Sequence, residues 1–294
     1  MTQSSFLEEE SSCCDARCFD DIYAEFNDPN GRTLIVAHRG DWRRYPENSV
    51  AAVQSCIEMG IDMVEIDVRQ TKDGHLVLMH DKTVDRMTNG SGKVAELTLA
   101  EIQTFYLRDG KGGGESGLTS MRVARLEEVM ILAKGSIMIN LDKCWDVREA
   151  VYEVLVKTDT LAHGLFKSSA HYEEVAAFLQ SKTNPPEYMH VVEEENFHEL
   201  PMVLSQAQPK AIELVFPALG SPMLTEESFE PMRGKQRIWC NSIQASLCGG
   251  HPDEEPGWEW MTGYGFNMIQ TDCPERLKSF LELQHSMRIV KQTI

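Results

Sequence analysis

Two histidines and a set of carboxylates stand where short apolar runs end. His38-Arg39 follows the first such run, Glu65-Ile66-Asp67 lies in a second, His80-Asp81 follows a third, and Asp142 ends Ile139-Asn140-Leu141-Asp142. Glu65 and Asp67 are two apart, so on a strand both side chains point to one face. Two carboxylates ~4 Å apart repel by about 4 kcal/mol at an effective dielectric near 20, and a third adds to this. Either one of them takes a proton or a cation sits between them. All-oxygen ligands suit hard Mg²⁺ or Ca²⁺ rather than zinc. Two imidazoles beside such a cluster suit proton transfer at neutral pH, each step worth about 10²–10⁴-fold. Arg39 adds a fork that fits phosphate oxygens. Singly, each of these residues has an ordinary structural reading; together they would have to converge from separate segments, which structural ion pairing does not require.

The elements that could bring them together alternate. Apolar runs read as strands at 33–38, 63–68, 75–80, 136–142, 164–168, 188–192, 211–216, 237–243 and 267–271. Helical periodicity lies at 49–59, 125–133, 145–157, 171–180, 195–206, 225–232 and 274–284. Nine strands are one too many for a closed eight-stranded barrel. Only residues 69–74 separate the second and third, too few for a parallel crossover, and Thr71-Lys72-Asp73-Gly74 is turn chemistry, so these two form a hairpin. If Gln70 pairs with His75, Glu65 lies opposite His80 on one face. The expectation is a single TIM-type (β/α)8 barrel over 31–294, with a hairpin after its second strand and an insertion at about 87–123. Functional groups then gather at the carboxyl ends of the strands. A doubly wound open sheet is disfavoured, because His38-Arg39-Gly40-Asp41-Trp42 is not a glycine-rich dinucleotide loop.

Composition narrows the class. Hydrophobic residues at 42% and charged residues at 25% fit a globular protein and exclude a disordered chain. The longest apolar runs are far short of the ~20 residues a spanning helix needs. The formal charge is −18, which repels phosphate backbones and anionic lipid, so neither nucleic acid nor a stable membrane association is expected. Residues 1–30 hold eight acidic residues and one base, net −7, and read as a solvated acidic arm that could be trimmed without loss of activity. The eight cysteines are scattered and the start is no signal peptide, so a reducing, cytoplasmic setting is expected. Cys13, Cys14 and Cys18 read as thiols on that arm.

The words His38-Arg39-Gly40, Pro46-Glu47-Asn48-Ser49, Glu65-Ile66-Asp67-Val68, Thr71-Lys72-Asp73-Gly74 and His80-Asp81, in this order and spacing, resemble the glycerophosphodiester phosphodiesterases. The resemblance is strong over 34–88. Beyond that it rests on 139–142, Ile238-Trp239-Cys240-Asn241 and Gln270-Thr271-Asp272-Cys273-Pro274. It implies a barrel, a divalent cation and hydrolysis of a glycerol-linked phosphodiester to glycerol 3-phosphate and an alcohol. Carried over by position, His38 and His80 become the acid/base pair, Glu65 and Asp67 metal ligands, and Arg39 a phosphate contact; Asp142 is the third candidate ligand.

The sequence departs from the family where Glu-x-Lys is usual, offering Asp142-Lys143 instead. Neighbours on a strand face opposite sides, so Lys143 is expected to point away from the site and Lys167 to fill its place. Glu213, Trp239 and Asn241 are candidate pocket residues. The rival readings are a phosphodiesterase of the same barrel class acting on phospholipid head groups, and a relative that keeps the barrel without the reaction. The acidic balance and the lack of a basic amphipathic helix speak against the first, and the full set of histidines and carboxylates against the second.

Overall fold

Eight parallel strands close on themselves in the computed structural model, which describes residues 17–292. The strands are β1 (Leu34–His38), β2 (Met63–Gln70), β3 (Leu76–Leu78), β4 (Tyr106–Arg108), β5 (Leu118–Arg122), β6 (Met138–Asp142), β7 (Gly164–Ser168), β8 (Glu187–Glu193), β9 (Ala211–Val215), β10 (Arg237–Asn241) and β11 (Met268–Thr271). The ring runs β1-β11-β10-β9-β8-β7-β6-β2 and returns to β1 through Val36↔Met63 and His38↔Glu65. This is the TIM-type barrel the alternating pattern predicts. The helices are α1 (Phe19–Phe26), α2 (Val50–Glu58), α3 (Leu99–Ile102), α4 (Leu126–Ala133), α5 (Arg148–Thr158), α6 (Tyr172–Gln180), α7 (Leu200–Met202), α8 (Glu226–Phe229), α9 (Glu255–Tyr264) and α10 (Pro274–Gln292). None of the described helices is long and apolar enough to cross a membrane.

Side chains inside the barrel fall into levels, because every second residue of a strand points inward. At the floor lie Leu34, Val36, Met63, Met138, Leu165, Met189, Ala211, Trp239 and Met268. Two residues further along the same strands the interior turns polar: Glu65, Asn140, Lys167, Glu213, Asn241 and Gln270. His38 ends β1 in register with Glu65, and Asp67 lies two residues further along β2, paired with Asp142, which ends β6 at the rim. An apolar floor under a polar upper half sends any chemistry to the carboxyl ends.

Three expectations need correction. Part of the proposed arm is a plug: Ile22 and Phe26 of α1 are buried in the floor cluster, closing the amino end of the barrel. Arg17 and Arg32 both pair with Asp62 and Glu25 there. The acidic count hid an amphipathic Phe-x-x-Ile-x-x-x-Phe spacing. Cys13 and Cys14 lie outside the described residues, while Cys18 is an exposed thiol just before α1. Second, the β2–β3 register is shifted by one. The Thr71 N–H donates to His75 O and the Thr71 hydroxyl accepts the His75 N–H, leaving the three-residue loop Lys72-Asp73-Gly74 with Gly74 at φ +86°, and Val68 faces Leu78. Glu65 is therefore not the cross-strand partner of His80. Third, α9 lies between 243 and 267, where the sequence reading assigns no helix; Pro256 sits in its first turn, where the missing N–H costs nothing.

The insertion is a small unit of its own. The β4–β5 hairpin and α3 pack on the return strand β3 through Val77, Met79, Val84, Met87, Val94, Ile102, Leu107 and Val123.

Candidate active site

His38 ends β1, and the chain turns at once. Arg39 and Gly40 both take positive φ, +58° and +80°, and a Cβ on Gly40 would lie 2.8 Å from the Ala52 Cβ and 2.9 Å from its backbone. That turn aims the Arg39 backbone N–H at Glu65 Oε2, 3.1 Å away, and threads its guanidinium between Glu47 (2.9 Å) and Asp67 (3.4 Å). Asn48, also left-handed at φ +57°, grips Asp67 from both sides, its Nδ2 donating to Oδ2 at 2.8 Å and its Oδ1 accepting the Asp67 N–H at 3.0 Å. Ser49 then caps α2 by accepting the Ala52 N–H. The Pro-Glu-Asn-Ser word thus does three jobs: it holds the arginine, holds the second-strand aspartate and opens a helix.

Glu65, Asp67 and Asp142 each place a carboxylate oxygen within 4.8 Å of the others. The parallel register explains this, since Asp67 pairs with Asp142 and Glu65 with Asn140. Burial, together with Asp67 and Asp142, drives the Glu65 carboxyl well above its ordinary value. Burial also acts to raise Asp67, but Lys143 and Arg39 overcome it and hold that carboxyl low. Asn140 Oδ1 and Gln270 Oε1, on the same interior level as Glu65, are buried oxygens without a hydrogen-bond donor. An all-oxygen set with two carboxylates buried from water fits a hard divalent cation. Glu65, Asp67 and Asp142 are the residues that would hold it, and Mg²⁺ or Ca²⁺ is the class that suits them.

Lys143 does reach this cluster, contrary to the alternation argument. The strand ends at Asp142, and Lys143 takes φ +55°, so the pleat no longer governs its direction. Its ammonium bonds Asp67 and lies 3.8 Å from Asp142. Lys167 is there as well, 2.9 Å from Glu213 and 3.6 Å from Asp142. Burial would lower the Lys167 ammonium, but Glu213, Asp142 and Glu65 hold it high and charged. Asn241 completes this level, donating to Glu213 at 2.7 Å and accepting the Trp239 indole N–H at 2.9 Å. Trp239 itself is a floor residue, fully buried below the polar level, so it supports Asn241 rather than lining a pocket.

Each histidine has its own carboxylate. His38 Nδ1 donates to Asp272 Oδ1 at 2.7 Å, and His80 Nδ1 donates to Asp81 Oδ1 at 2.7 Å. A carboxylate can only accept, so both rings are held in the tautomer that leaves Nε2 free. Burial keeps His38 below the usual histidine value, against the pull of Asp272. Burial acts to raise Asp272, but hydrogen bonds from His38, Lys111 and Trp42 hold it far below. Asp81 is held at about 2, chiefly by hydrogen bonding to Arg86. The charge of His80 would also favour ionised Asp67.

The structure brings His38, Arg39, Glu65, Asp67, Asp142, Lys167, Glu213 and Asn241 to the upper interior and rim, and His80 directly follows Met79, whose N–H donates to the Asp67 carbonyl at 2.9 Å. Sequence reasoning gave no role to Asp272, Glu47, Asn48, Arg86, Lys111 and Trp42, and it turned Lys143 away from the site. Asp272 carried a readable signal, an acid directly after the last strand. Lys111 carried none, since it sits in a glycine tract of the insertion.

Residues 38–163 match the model of the "Glycerophosphoryl diester phosphodiesterase family", and residues 188–281 match one described as a "Domain of unknown function". A glycerophosphodiester phosphodiesterase of Caldanaerobacter subterraneus subsp. tengcongensis is 44% identical over 112 residues, 38% of this chain and 45% of that protein. A putative glycerophosphodiester phosphodiesterase of Bacillus subtilis is 51% identical over 96 residues, 33% of this chain and 38% of its own. The matched stretches span less than half the length of these curated relatives. A solved glycerophosphoryl diester phosphodiesterase from Parabacteroides distasonis superposes with TM-score 0.71 at 22% identity, over 92% of this chain and 93% of that one. A phosphodiesterase of Oleispira antarctica, solved in complex with the product sn-glycerol-3-phosphate, superposes with TM-score 0.65 at 20% identity, over 85% and 97%. At these identities the structures speak for the fold, and the sequence match for the half that carries both histidines and all three carboxylates. Over residues 38–163 this chain is similar to the glycerophosphoryl diester phosphodiesterase family, and the curated relatives that match it carry the same description.

Proposed function

We propose that the protein hydrolyses glycerophosphodiesters to glycerol 3-phosphate and an alcohol, with a divalent cation at Glu65, Asp67 and Asp142. The observation that carries this reading is the meeting, at one rim, of two carboxylate-oriented histidines with three clustered carboxylates and the cations Arg39, Lys143 and Lys167. Carboxylates alone would repel an anionic diester; the bound cation and these side chains supply the positive charge that receives it. When bound, the cation polarises a phosphoryl oxygen.

His38, unprotonated at Nε2, takes the proton of the glycerol hydroxyl next to the phosphate, and that oxygen attacks phosphorus. His80 acts in this step as the imidazolium, its Nδ1–H held by Asp81, and gives its Nε2 proton to the departing alcohol. Water then opens the cyclic phosphate with the two roles reversed, which returns both histidines to their starting state. Arg39 and Lys143 orient the phosphate. A product of the kind held by the Oleispira antarctica structure is the expected end point. A reducing, cytoplasmic setting goes with this reading, in keeping with the six described cysteines, all of them free thiols.

The test is release of glycerol 3-phosphate from a panel of glycerophosphodiesters, with and without chelator. Turnover that disappears on chelation and returns with Mg²⁺ or Ca²⁺ is expected. Failure of every diester, or action only on intact lipid in vesicles, overturns the proposal.

A further inference from the structure

Trp42 lies beside the proposed base. Its indole N–H donates to Asp272 Oδ1 at 2.8 Å, the same oxygen that accepts from His38, so the ring stands one carboxylate away from the imidazole. An indole at the mouth of a phosphodiester site is a natural seat for a quaternary ammonium group, since cations bind the aromatic face. Here cations of the protein already hold it. The Lys111 ammonium is 4.2 Å from the ring centroid and the Arg43 guanidinium 4.8 Å.

Lys111 is built into this place rather than draped over it. Its ammonium pairs with Asp272 Oδ2 at 2.7 Å. The loop beneath it is fastened on both sides: Glu47 N–H donates to Gly110 O at 2.9 Å, Gly113 N–H to Arg86 O at 2.8 Å, and the Arg86 guanidinium bonds the Lys111 carbonyl. Gly112 has no room for a side chain, because a Cβ there would lie 2.4 Å from Arg86 O. Arg86 is itself anchored to Glu47 (2.6 Å) and Asp81 (2.7 Å). The insertion therefore delivers one positive charge to a fixed point between Trp42 and the carboxylate that orients His38.

We infer that Lys111 is a specificity-determining residue that turns the site against trimethylammonium leaving groups and toward hydroxyl-rich, uncharged or anionic ones. Hydroxyl oxygens accept hydrogen bonds from Lys111 and Arg43, whereas a trimethylammonium group offers no acceptor, meets like charge and finds the indole face taken. The inference rests on the phosphodiesterase reading and names the substrate class within it.

The experiment compares kcat/KM for glycerophosphoglycerol and glycerophosphocholine in the wild type, Lys111→Met and Lys111→Arg, with tetramethylammonium as a competing ligand. The wild type is expected to favour the polyol diester by about tenfold or more and to resist tetramethylammonium. Lys111→Met narrows the ratio to within about threefold through a lower KM for the choline diester and becomes sensitive to tetramethylammonium, while Lys111→Arg keeps the wild-type ratio. Loss of a partner for Asp272 slows Lys111→Met on both substrates, so the ratio within each variant is the readout. A wild-type ratio near one, or an unchanged ratio in Lys111→Met, overturns the inference and leaves the phosphodiesterase reading standing. No turnover of either diester by the wild type overturns both.

Discussion

Asp272 Oδ1 lies 2.7 Å from His38 Nδ1, joining the last strand of the barrel to the first. Trp42 shares that oxygen at 2.8 Å, and Lys111 takes the other at 2.7 Å. The backbone of Asp272 is pinned too, its N–H donating to Asp253 Oδ2 at 3.0 Å, while Asp253 Oδ1 holds Ser242 and Thr271. A carboxylate fixed this firmly selects one imidazole tautomer and steadies the imidazolium that forms in the reaction. Asp272→Asn keeps the shape and can donate where it used to accept. It should lower kcat by about 10²–10⁴-fold with little change in KM or thermal stability. Steady-state kinetics on a glycerophosphodiester decide this, and a loss under about threefold shows that His38 is oriented by something else.

The carboxylate cluster makes a separate prediction about the cation. Asp142 is the least enclosed of the three, with its side chain 30% exposed against 1% for Asp67. Asp142→Asn should therefore fold normally and weaken divalent cation binding by about 10–100-fold, with activity recoverable at high cation concentration. Calorimetric titration of Mg²⁺ and Ca²⁺ into the stripped protein reads the affinity directly. Unchanged affinity would move the cation away from this cluster.

Much of this is legible in the amino-acid sequence. Alternating apolar runs and helical periodicity give eight strands and a hairpin, and residues at strand ends on one rim follow from the barrel rule. What the sequence could not carry is whatever depends on positive φ or on distant pairing. Lys143 turns into the site because its backbone leaves the strand at φ +55°. Asn48 and Arg39 reach Asp67 through the same device. The hairpin register slipped by one because a three-residue loop with a left-handed glycine and a four-residue turn read alike in Thr-Lys-Asp-Gly. Lys111 meets Asp272 across 161 positions of chain, which no local pattern reports.

Lys167 and Glu213 test how the polar level inside the barrel is balanced. The pair lies 2.9 Å apart, with side chains 11% and 2% exposed. Lys167→Met strands a buried carboxylate and should cost about 3–5 kcal/mol. Adding Glu213→Gln should return most of that loss, because the uncompensated charge is then gone. Chemical denaturation of both single variants and the double variant measures the coupling, and strictly additive losses would mean that the two charges do not act as a pair.

The floor plug predicts that the amino-terminal segment matters to stability. Phe26 is 1% exposed among Leu34, Met63, Trp239 and the other floor residues. Phe26→Ala opens a cavity there and should cost about 3–5 kcal/mol while leaving the residues of the rim in place. Removal of residues 1–30 should likewise destabilise the barrel, against the expectation of a dispensable arm. Thermal melts of the two proteins beside the wild type check this, and a melting temperature within 2–3 °C of wild type, about the size of a 1 kcal/mol change or less, would refute it.

The same plug contains a titrating contact. His163 stacks on Phe19 with centroids 3.6 Å apart, accepts the Gly135 N–H through Nε2 at 2.9 Å and leaves Nδ1 buried without a partner. Burial pushes it down to about 4, and Lys134 adds to the shift. A histidine lowered in the folded state binds its proton more readily when unfolded, so its share of stability is whole above the unfolded value near 6.5 and drains away as pH falls toward 4. Burial lowers His190 to about 4 in the same sense, whereas Asp62 and Glu65, raised mainly by burial, act oppositely in part of that window. The informative quantity is thus a difference between proteins. Between pH 7 and pH 4.5 the wild type should lose more stability than His163→Gln, by about 1 kcal/mol. Parallel denaturation curves at the two pH values read it, and equal losses would show that His163 is not the group that titrates.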